Sequence, residues 1–369
     1  MKIQFTDFPA QIERLRMALA EDIGPGDVTS EALLPADKLA HAKFVSRVDG
    51  VVAGLPLIPI LLQMCGAAPG MSDAIAKLMK AMKIPTAGGK TSGPEDFVIE
   101  AFAEIFTPGE EVQVRIDATN TFQIKWLTKD GKKIHAGQVL CELSGPARSI
   151  LAAERVSLNL LQRLSGIASL TRQYVDAVRG TGARILDTRK TFPLWRDLEK
   201  YAVRMGGGFN HRMGLYDEIM IKDNHLGMSG LSPADAVTKA RKAAPDKFLV
   251  VELDSLDPLK AVLDTRPDTV LLDNMSAELL KQAVQIRRTW AKAAGLTRGV
   301  DDLILRERQF HSAEEIATAK QGWPLFESSG GVNLETVRAK AESGVERISV
   351  GAITHSAGSL DIGLDLGGE

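Results

Sequence analysis

From residue 183 onward, short apolar runs alternate with stretches whose apolar residues recur at helical spacing. The runs cover 183–187, 218–222, 248–252, 269–273, 324–328 and 347–351, and the helical patterns between and after them cover 232–244, 258–264, 276–288 and 333–343. Strand then helix, repeated in that order, predicts a parallel α/β domain of barrel type. The chain before it reads differently. Residues 9–21 carry Ile12, Leu15 and Leu19 at helical spacing and stop at Gly24-Pro25-Gly26-Asp27. Residues 43–52, 111–116, 121–128 and 132–143 alternate as strands, with Lys129-Asp130-Gly131 turning the third into the fourth, which predicts an antiparallel meander with helices on it. Between the two halves, 147–179 reads as one or two long helices with a break near Ser165-Gly166. The fold class is therefore α/β, an N-terminal α/β sandwich followed by an open α/β barrel. The expected domains are 1–148, 149–353 and a tail, 354–369, returning to the first domain.

Two stretches fit that pattern poorly. Residues 64–108 interrupt the first domain, with a possible helix at 71–82 and a Gly-, Ser-, Thr- and Pro-rich loop at 85–96. Its Gly89-Lys90-Thr91 resembles the end of a phosphate-binding P-loop, but Ile84 stands where the first glycine is required, so that motif is rejected. Residues 290–322 interrupt the second domain, and the charges of 298–315 predict a solvated helix or loop. The uncharged stretch 51–68 approaches the length of a membrane span, yet Gly54, Pro56, Pro59 and Gln63 favour a strand, a turn and a short core helix.

Composition narrows the function by exclusion. The 369 residues are 44% hydrophobic and 25% charged, with a net charge of -2. That balance provides no field for nucleic acid or an anionic membrane. Two cysteines are too few for a disulfide scaffold or a zinc site, and Cys141 sits in an apolar run. The start lacks the apolar core of a signal peptide, so the cytoplasm is the expected location.

Candidate chemistry gathers where the runs of the second domain end. These ends read Asp187-Thr188-Arg189-Lys190, Lys222-Asp223, Glu252-Leu253-Asp254, Asp273-Asn274, Glu327-Ser328-Ser329-Gly330-Gly331 and Gly351-Ala352, and a separate loop carries His211-Arg212. Loops after strands are polar in any protein, but every end in succession points to the active rim that barrels place there. Arg supplies a fork for carboxylate or phosphate, Lys a compact charge, and Gly and Ser let backbone N–H groups approach phosphate oxygens. Glu252 and Asp273 fit a magnesium ion that keeps its water and bridges to phosphates. A phosphorylated sugar and a multiply anionic acid are the expected substrates. On helical statistics, Glu154 and Arg155 form a solvated pair.

The motifs Asp187-Thr188-Arg189-Lys190-Thr191, Gly206-Gly207-Gly208-Phe209-Asn210-His211-Arg212, Ile221-Lys222-Asp223-Asn224-His225, Leu272-Asp273-Asn274, Glu327-Ser328-Ser329-Gly330-Gly331 and Ser349-Val350-Gly351-Ala352 resemble, in order and spacing, those of the quinolinate phosphoribosyltransferases. The resemblance extends to Glu154-Arg155 and to Glu21-Asp22-Ile23-Gly24-Pro25-Gly26-Asp27, and so covers nearly the whole chain. It implies transfer of phosphoribose from phosphoribosyl pyrophosphate to the nitrogen of quinolinate with loss of the 2-carboxylate. The products are nicotinate mononucleotide, pyrophosphate and carbon dioxide, a step of de novo NAD synthesis. It implies Arg189, His211 and Arg212 around the quinolinate carboxylates, Lys190 and Lys222 near both substrates, and Glu252 and Asp273 at the ribose and magnesium. It further implies Ser329, Gly330 and Gly351 at the 5-phosphate, and a homodimer or multiple of dimers in which Arg155 enters the neighbouring subunit's site. Three alternatives stand against it, a paralogue of the same fold using another anionic acceptor, a barrel lyase forming a Schiff base through Lys190 or Lys222, and a metabolite-binding protein without catalysis, and the unsubstituted Arg189 and Arg212 with Glu252 and Asp273 favour transfer over all three.

Overall fold

The computed structural model describes residues 8–66, 111–115, 121–302, 305 and 312–367. The expectations for 71–82 and 85–96 lie outside them. Contacts divide the chain into two compact units: Met1–Leu170 with Pro193–Gly207 and Ala357–Glu369, and Thr171–Phe192 with Gly208–Ser356. The division differs from one in simple chain order, because 193–207 joins the first unit.

In the first unit the strands are β1 (Leu39–Ser46), β2 (Gly50–Val51), β3 (Glu111–Arg115), β4 (Thr121–Trp126), β5 (Lys133–Ile134), β6 (Val139–Pro146) and, from the far end of the sequence, β13 (Ile362–Gly367). They form a five-stranded sheet in the order β13-β1-β6-β4-β3 and a separate β2–β5 pair. All the pairings are antiparallel. The expected strand 43–52 is two strands, because the Ser46 hydroxyl donates to the Val48 carbonyl at 2.7 Å and bends the chain away. The expected strand 132–143 divides likewise at Gly137, whose φ of 79° is left-handed. Residues 57–66 form a ten-residue helix, Leu57–Gly66, after the β2 strand and a turn. Among the described residues no helix is long and apolar enough to cross a membrane.

Ala147–Ala177 is one helix of 31 residues, unbroken at Ser165-Gly166. Glycine is required there for proximity: a Cβ on Gly166 would stand 1.9 Å from the Gly358 carbonyl oxygen. Arg163 donates to Glu199 at 2.8 Å, and Asp130 accepts from the Tyr201 hydroxyl at 2.7 Å, which ties helix Arg196–Met205 into the same unit.

In the second unit β7 (Arg184–Leu186), β8 (Glu218–Ile221), β9 (Phe248–Leu253), β10 (Thr269–Asp273), β11 (Leu325–Ser329) and β12 (Arg347–Ser349) make a parallel sheet in the order β7-β12-β11-β10-β9-β8. The strands consecutive in sequence, β7 and β8, lie at opposite edges. Phe209 extends the β7 edge by a parallel bridge to Leu186, and His211, two residues on, comes within 3.6 Å of Glu218 on β8. The two edges therefore approach each other through side chains, as an open barrel requires.

The period of two sorts the interior into layers. Glu218, Phe248, Thr269, Leu325 and Arg347 begin the inward series. Met220, Val250, Leu271, Glu327 and Ser349 follow, and Lys222, Glu252, Asp273, Ser329 and Gly351 complete it. The register keeps this series on one face while staggering neighbouring strands, pairing Leu271 with both Glu252 and Glu327, and Asp273 with Ser329. Residues of the other parity, such as Leu249, Val251, Val270, Leu272, Phe326 and Ile348, are fully buried and carry the hydrophobic stabilisation, at about 1.5–3 kcal/mol each.

The expectation of a solvated segment at 298–315 holds for the described Arg298, Asp301, Glu314 and Glu315, which are exposed, and fails at three positions, while 303–304 and 306–311 lie outside the described residues. Val300 and Leu305, with Ala319, are buried in one cluster with Phe248, Val250, Leu271 and Leu325, and Asp302 is buried as well. Val300 and Leu305 thus pack beneath the barrel among charged neighbours.

Candidate active site

The final inward layer and the loops beyond it enclose a cleft of about 740 Å³, within the range of small-molecule sites. Its lining includes Arg189, Lys190, His211, Arg212, Lys222, Glu252, Asp273, Ser329, Gly330 and Gly351. Every residue predicted for the site is thus gathered in one place except Arg155. That side chain is 58% exposed on the helix Ala147–Ala177, with Glu154 at 3.9 Å. An exposed pair at that distance contributes roughly 0–1 kcal/mol, so it does not explain Arg155 structurally.

The cationic loop is held by two acids. Asp187, fully buried at the end of β7, accepts from the His211 backbone N–H at 2.8 Å and from the Asn210 amide at 2.6 Å. Asp217 accepts from the N–H groups of Met213 and Gly214 at 2.6 and 3.0 Å. His211 Nδ1 accepts from the Arg212 N–H at 2.7 Å, so imidazole and guanidinium are set relative to each other. Burial, then the like charge of Arg189, draws the Arg212 guanidinium below its ordinary range, against the pull of Glu218, Asp217 and Glu252. Two guanidinium groups held close enough to repel are a device for a dianion.

The opposite wall is acidic and glycine-turned. Lys222 Nζ donates to Glu252 Oε2 at 3.0 Å, and the Asn274 amide donates to Asp273 at 3.1 Å. Asn274 itself is left-handed, with φ of 54°. Its backbone N–H donates to the Ser329 carbonyl at 2.9 Å, and a Cβ on Gly330 would meet Asn274 Oδ1 at 2.1 Å. Only glycine fits at that turn. At the end of β12, a Cβ on Gly351 would meet the Lys190 side chain at 2.9 Å, while the Lys190 carbonyl accepts from the Thr354 hydroxyl at 2.7 Å. Glycine here leaves room for the lysine to reach the cleft.

Thr188, Asn274, Glu327 and Ser349, which the motifs contain without a role assigned to them, also line the cleft, as does His355, which no motif contains. Glu327 was the most legible of these, since a carboxylate between Phe326 and Ser328 interrupts an apolar run. Behind the wall, Lys340 is buried and donates to the Met275 carbonyl at 2.8 Å. Burial lowers its ammonium below the usual range, and the charge of Asp273 opposes that.

Comparison with known proteins agrees with this geometry. Residues 167–365 match the quinolinate phosphoribosyl transferase C-terminal domain, and residues 98–165 match the N-terminal domain of the same enzymes. The chain belongs to the quinolinate phosphoribosyltransferase family. It is 35% identical over 361 residues to the carboxylating nicotinate-nucleotide pyrophosphorylase of Mycobacterium leprae, covering 98% of each chain. It is 33% identical over 347 residues to the probable enzyme of that name from Bacillus subtilis, covering 94% of this chain and 90% of the other. The solved structure of the nicotinate-nucleotide pyrophosphorylase from Francisella tularensis superposes with a TM-score of 0.68 at 31% identity, with 100% of both chains covered. In this quinolinate phosphoribosyltransferase family member the matched N-terminal and C-terminal portions meet inside the helix Ala147–Ala177.

Proposed function

We propose that the protein transfers phosphoribose from phosphoribosyl pyrophosphate to quinolinate and decarboxylates the product to nicotinate mononucleotide. The observation that carries this reading is the pairing, in one cleft, of the repelling Arg189 and Arg212 with the acids Glu252 and Asp273 at neighbouring strand ends. Quinolinate carries two adjacent carboxylates that the guanidinium pair and the His211 loop would neutralise. Ser329, Gly330 and Gly351 supply short side chains and open backbone for the 5-phosphate.

In the first step the pyridine nitrogen lone pair forms a bond to ribose C1 while the C1–oxygen bond to pyrophosphate breaks, its electrons leaving with pyrophosphate. Positive charge develops on the sugar, which Glu252 and Asp273 stabilise by position, and Lys190 and Lys222 offset charge on the leaving group. The alkylated nitrogen is cationic. When the C2–carboxylate bond breaks, carbon dioxide departs, the electron pair stays on the ring beside that nitrogen, and a proton takes the vacated position. Positioning and charge compensation suffice, so a nucleophilic residue has no part in it.

Among the described residues no cluster of three or more His, Cys, Asp or Glu side chains could hold a metal alone. Glu252 and Asp273 fit magnesium in the limited sense that the ion would be held mainly by substrate pyrophosphate and water. Bound that way, it would neutralise the leaving group. On this reading the protein acts as a homodimer or multiple of dimers, with the exposed Arg155 entering the neighbouring subunit's cleft, and works in the cytoplasm.

Purified protein incubated with quinolinate, phosphoribosyl pyrophosphate and magnesium is expected to form nicotinate mononucleotide, followed chromatographically. Reaction with another pyridine or acid acceptor, and none with quinolinate, would reject the substrate assignment.

A further inference from the structure

The segment beneath the barrel does more than fill space. Gly299 bridges Trp323 in parallel, the Val300 N–H donates to the Trp323 carbonyl at 3.0 Å, and the Asp301 N–H donates to the Ala319 carbonyl at 3.0 Å. This folds 298–302 back against 319–323 and presents Asp302 upward into the interior. There Asp302 accepts from two arginines paired across neighbouring strands, Arg184 at 2.8 Å and Arg347 at 2.9 Å. Arg347 is fully buried and donates through Nε to Glu327 Oε2 at 2.8 Å. The other oxygen of Glu327 lies 3.3 Å from His211 Nε2, and both residues line the cleft. A continuous file of buried charges thus runs from the segment below the barrel to the imidazole at its mouth: Asp302, Arg347, Glu327, His211.

The imidazole responds to what stands at each of its nitrogens. Nδ1 accepts the Arg212 N–H, so the ring hydrogen belongs on Nε2, facing Glu327. Glu218 stands 3.6 Å from Nδ1, and placing a proton there would break the contact to Arg212. Two forces therefore compete for the proton: Glu327 favours Nε2, and Glu218 favours Nδ1. Arg347 keeps Glu327 ionised and oriented, and Asp302 balances a guanidinium that would otherwise be buried with one carboxylate.

We propose that Asp302 is a positioning residue for the cleft, holding His211 in the Nε2-hydrogen form, and with it the Arg212 backbone, through Arg347 and Glu327. The fold of 298–302 against 319–323 is in this sense part of the site's machinery. The effect on substrate rests on the proposed quinolinate reading; the effect on the imidazole does not.

The test is nitrogen-15 imidazole NMR of the ligand-free, full-length protein, with His211→Gln identifying the signal, alongside steady-state kinetics. Asp302→Asn is expected to shift the His211 signal away from the Nε2-hydrogen pattern. It should also raise KM for quinolinate roughly three- to thirtyfold while KM for phosphoribosyl pyrophosphate stays within about twofold. Asp302→Glu is expected to restore the wild-type signal, and Val300→Ala, which thins the same packing without touching a charge, to lower Tm and leave the signal unchanged. If Asp302→Asn does not fold, the paired Asp302→Leu with Arg347→Met replaces the ion pair by apolar volume and should show the same shift. A His211 signal unchanged in the charge-removing variants, or moved equally by Val300→Ala, overturns the proposal. An altered signal with no activity on quinolinate would reject the substrate reading and leave the positioning role standing.

Discussion

The two ends of the parallel barrel use the same side chains to opposite effect. Below, Arg347 and the half-buried Arg184 share Asp302, Arg347 also grips Glu327, and Asp302, Arg347 and Glu327 are nearly or fully withdrawn from water. Above, Arg189 and Lys190 are exposed and have no ion-pair partner among the described residues, and Arg212 is pressed toward a like charge. Charge that is balanced within the protein makes structure; charge left unbalanced beside a cleft is held for a ligand. The layered interior separates the two by a few residues along each strand, so that Arg347 and Gly351 of one run belong to different economies of charge.

Removing the upper cations should leave the fold intact and abolish binding. The double replacement Arg189→Ala with Arg212→Ala is expected to lower kcat/KM for quinolinate by on the order of 10²–10⁴, since each charge-assisted contact contributes about 1.5–3 kcal/mol. Tm should change little. A double variant that unfolds while keeping substrate affinity would erase the distinction between the two ends.

A second test asks whether the upper end is completed from outside, as its unbalanced design would require. Arg155→Ala and Lys190→Ala proteins should each be inactive alone. Mixed and reassembled, they are expected to recover about a quarter of wild-type activity, because half of random dimers are mixed and each of those has one intact site. Persistent inactivity in dimers shown to be mixed would mean that each site is built from one chain.

The smallest effect concerns the lower end and acid. Burial pushes the Glu327 carboxyl up, but the neighbouring His211 imidazole and Arg347 guanidinium, with hydrogen bonds from His211 and Ser349, outweigh it and hold the group below the ordinary carboxylate range. Because the folded value is depressed, the stability this group contributes is fully present above its unfolded value of about 4.5 and is lost as pH falls toward the folded value. Glu327→Gln should therefore cost about 3–5 kcal/mol in denaturant titrations at pH 7, and the gap to wild type should narrow below pH ~4.5. A gap independent of pH would show that the carboxylate charge is immaterial.

How much of this could be read from the residues follows the same division. The upper end was legible because its chemistry stands at strand termini, where Lys222, Glu252 and Asp273 each close an apolar run, and because short motifs surround them. Arg347 and Glu327 were harder to interpret, since a buried charge and a solvated one look alike until their partners are known. Asp302 was misread for a related reason: one inward acid among many outward charges leaves no periodic trace over so short a segment. The strand breaks at Val48 and Gly137 were missed because local turn contacts, rather than hydrophobic period, decide them. Arg155 gave only a helix position, and a helix face says nothing about a second copy of the chain.

The pairing of β1 with β13 also has a consequence for how this protein is made. Ser46 finds its partner at Ile362 and His41 at Gly367, so one edge of β1 is covered by a strand that follows the whole barrel in sequence. Until then β1 presents an open row of backbone donors and acceptors on a nascent chain, the kind of edge that pairs with whatever strand is nearest. Synthesis must run through the whole barrel before β13 can close that edge of the first sheet.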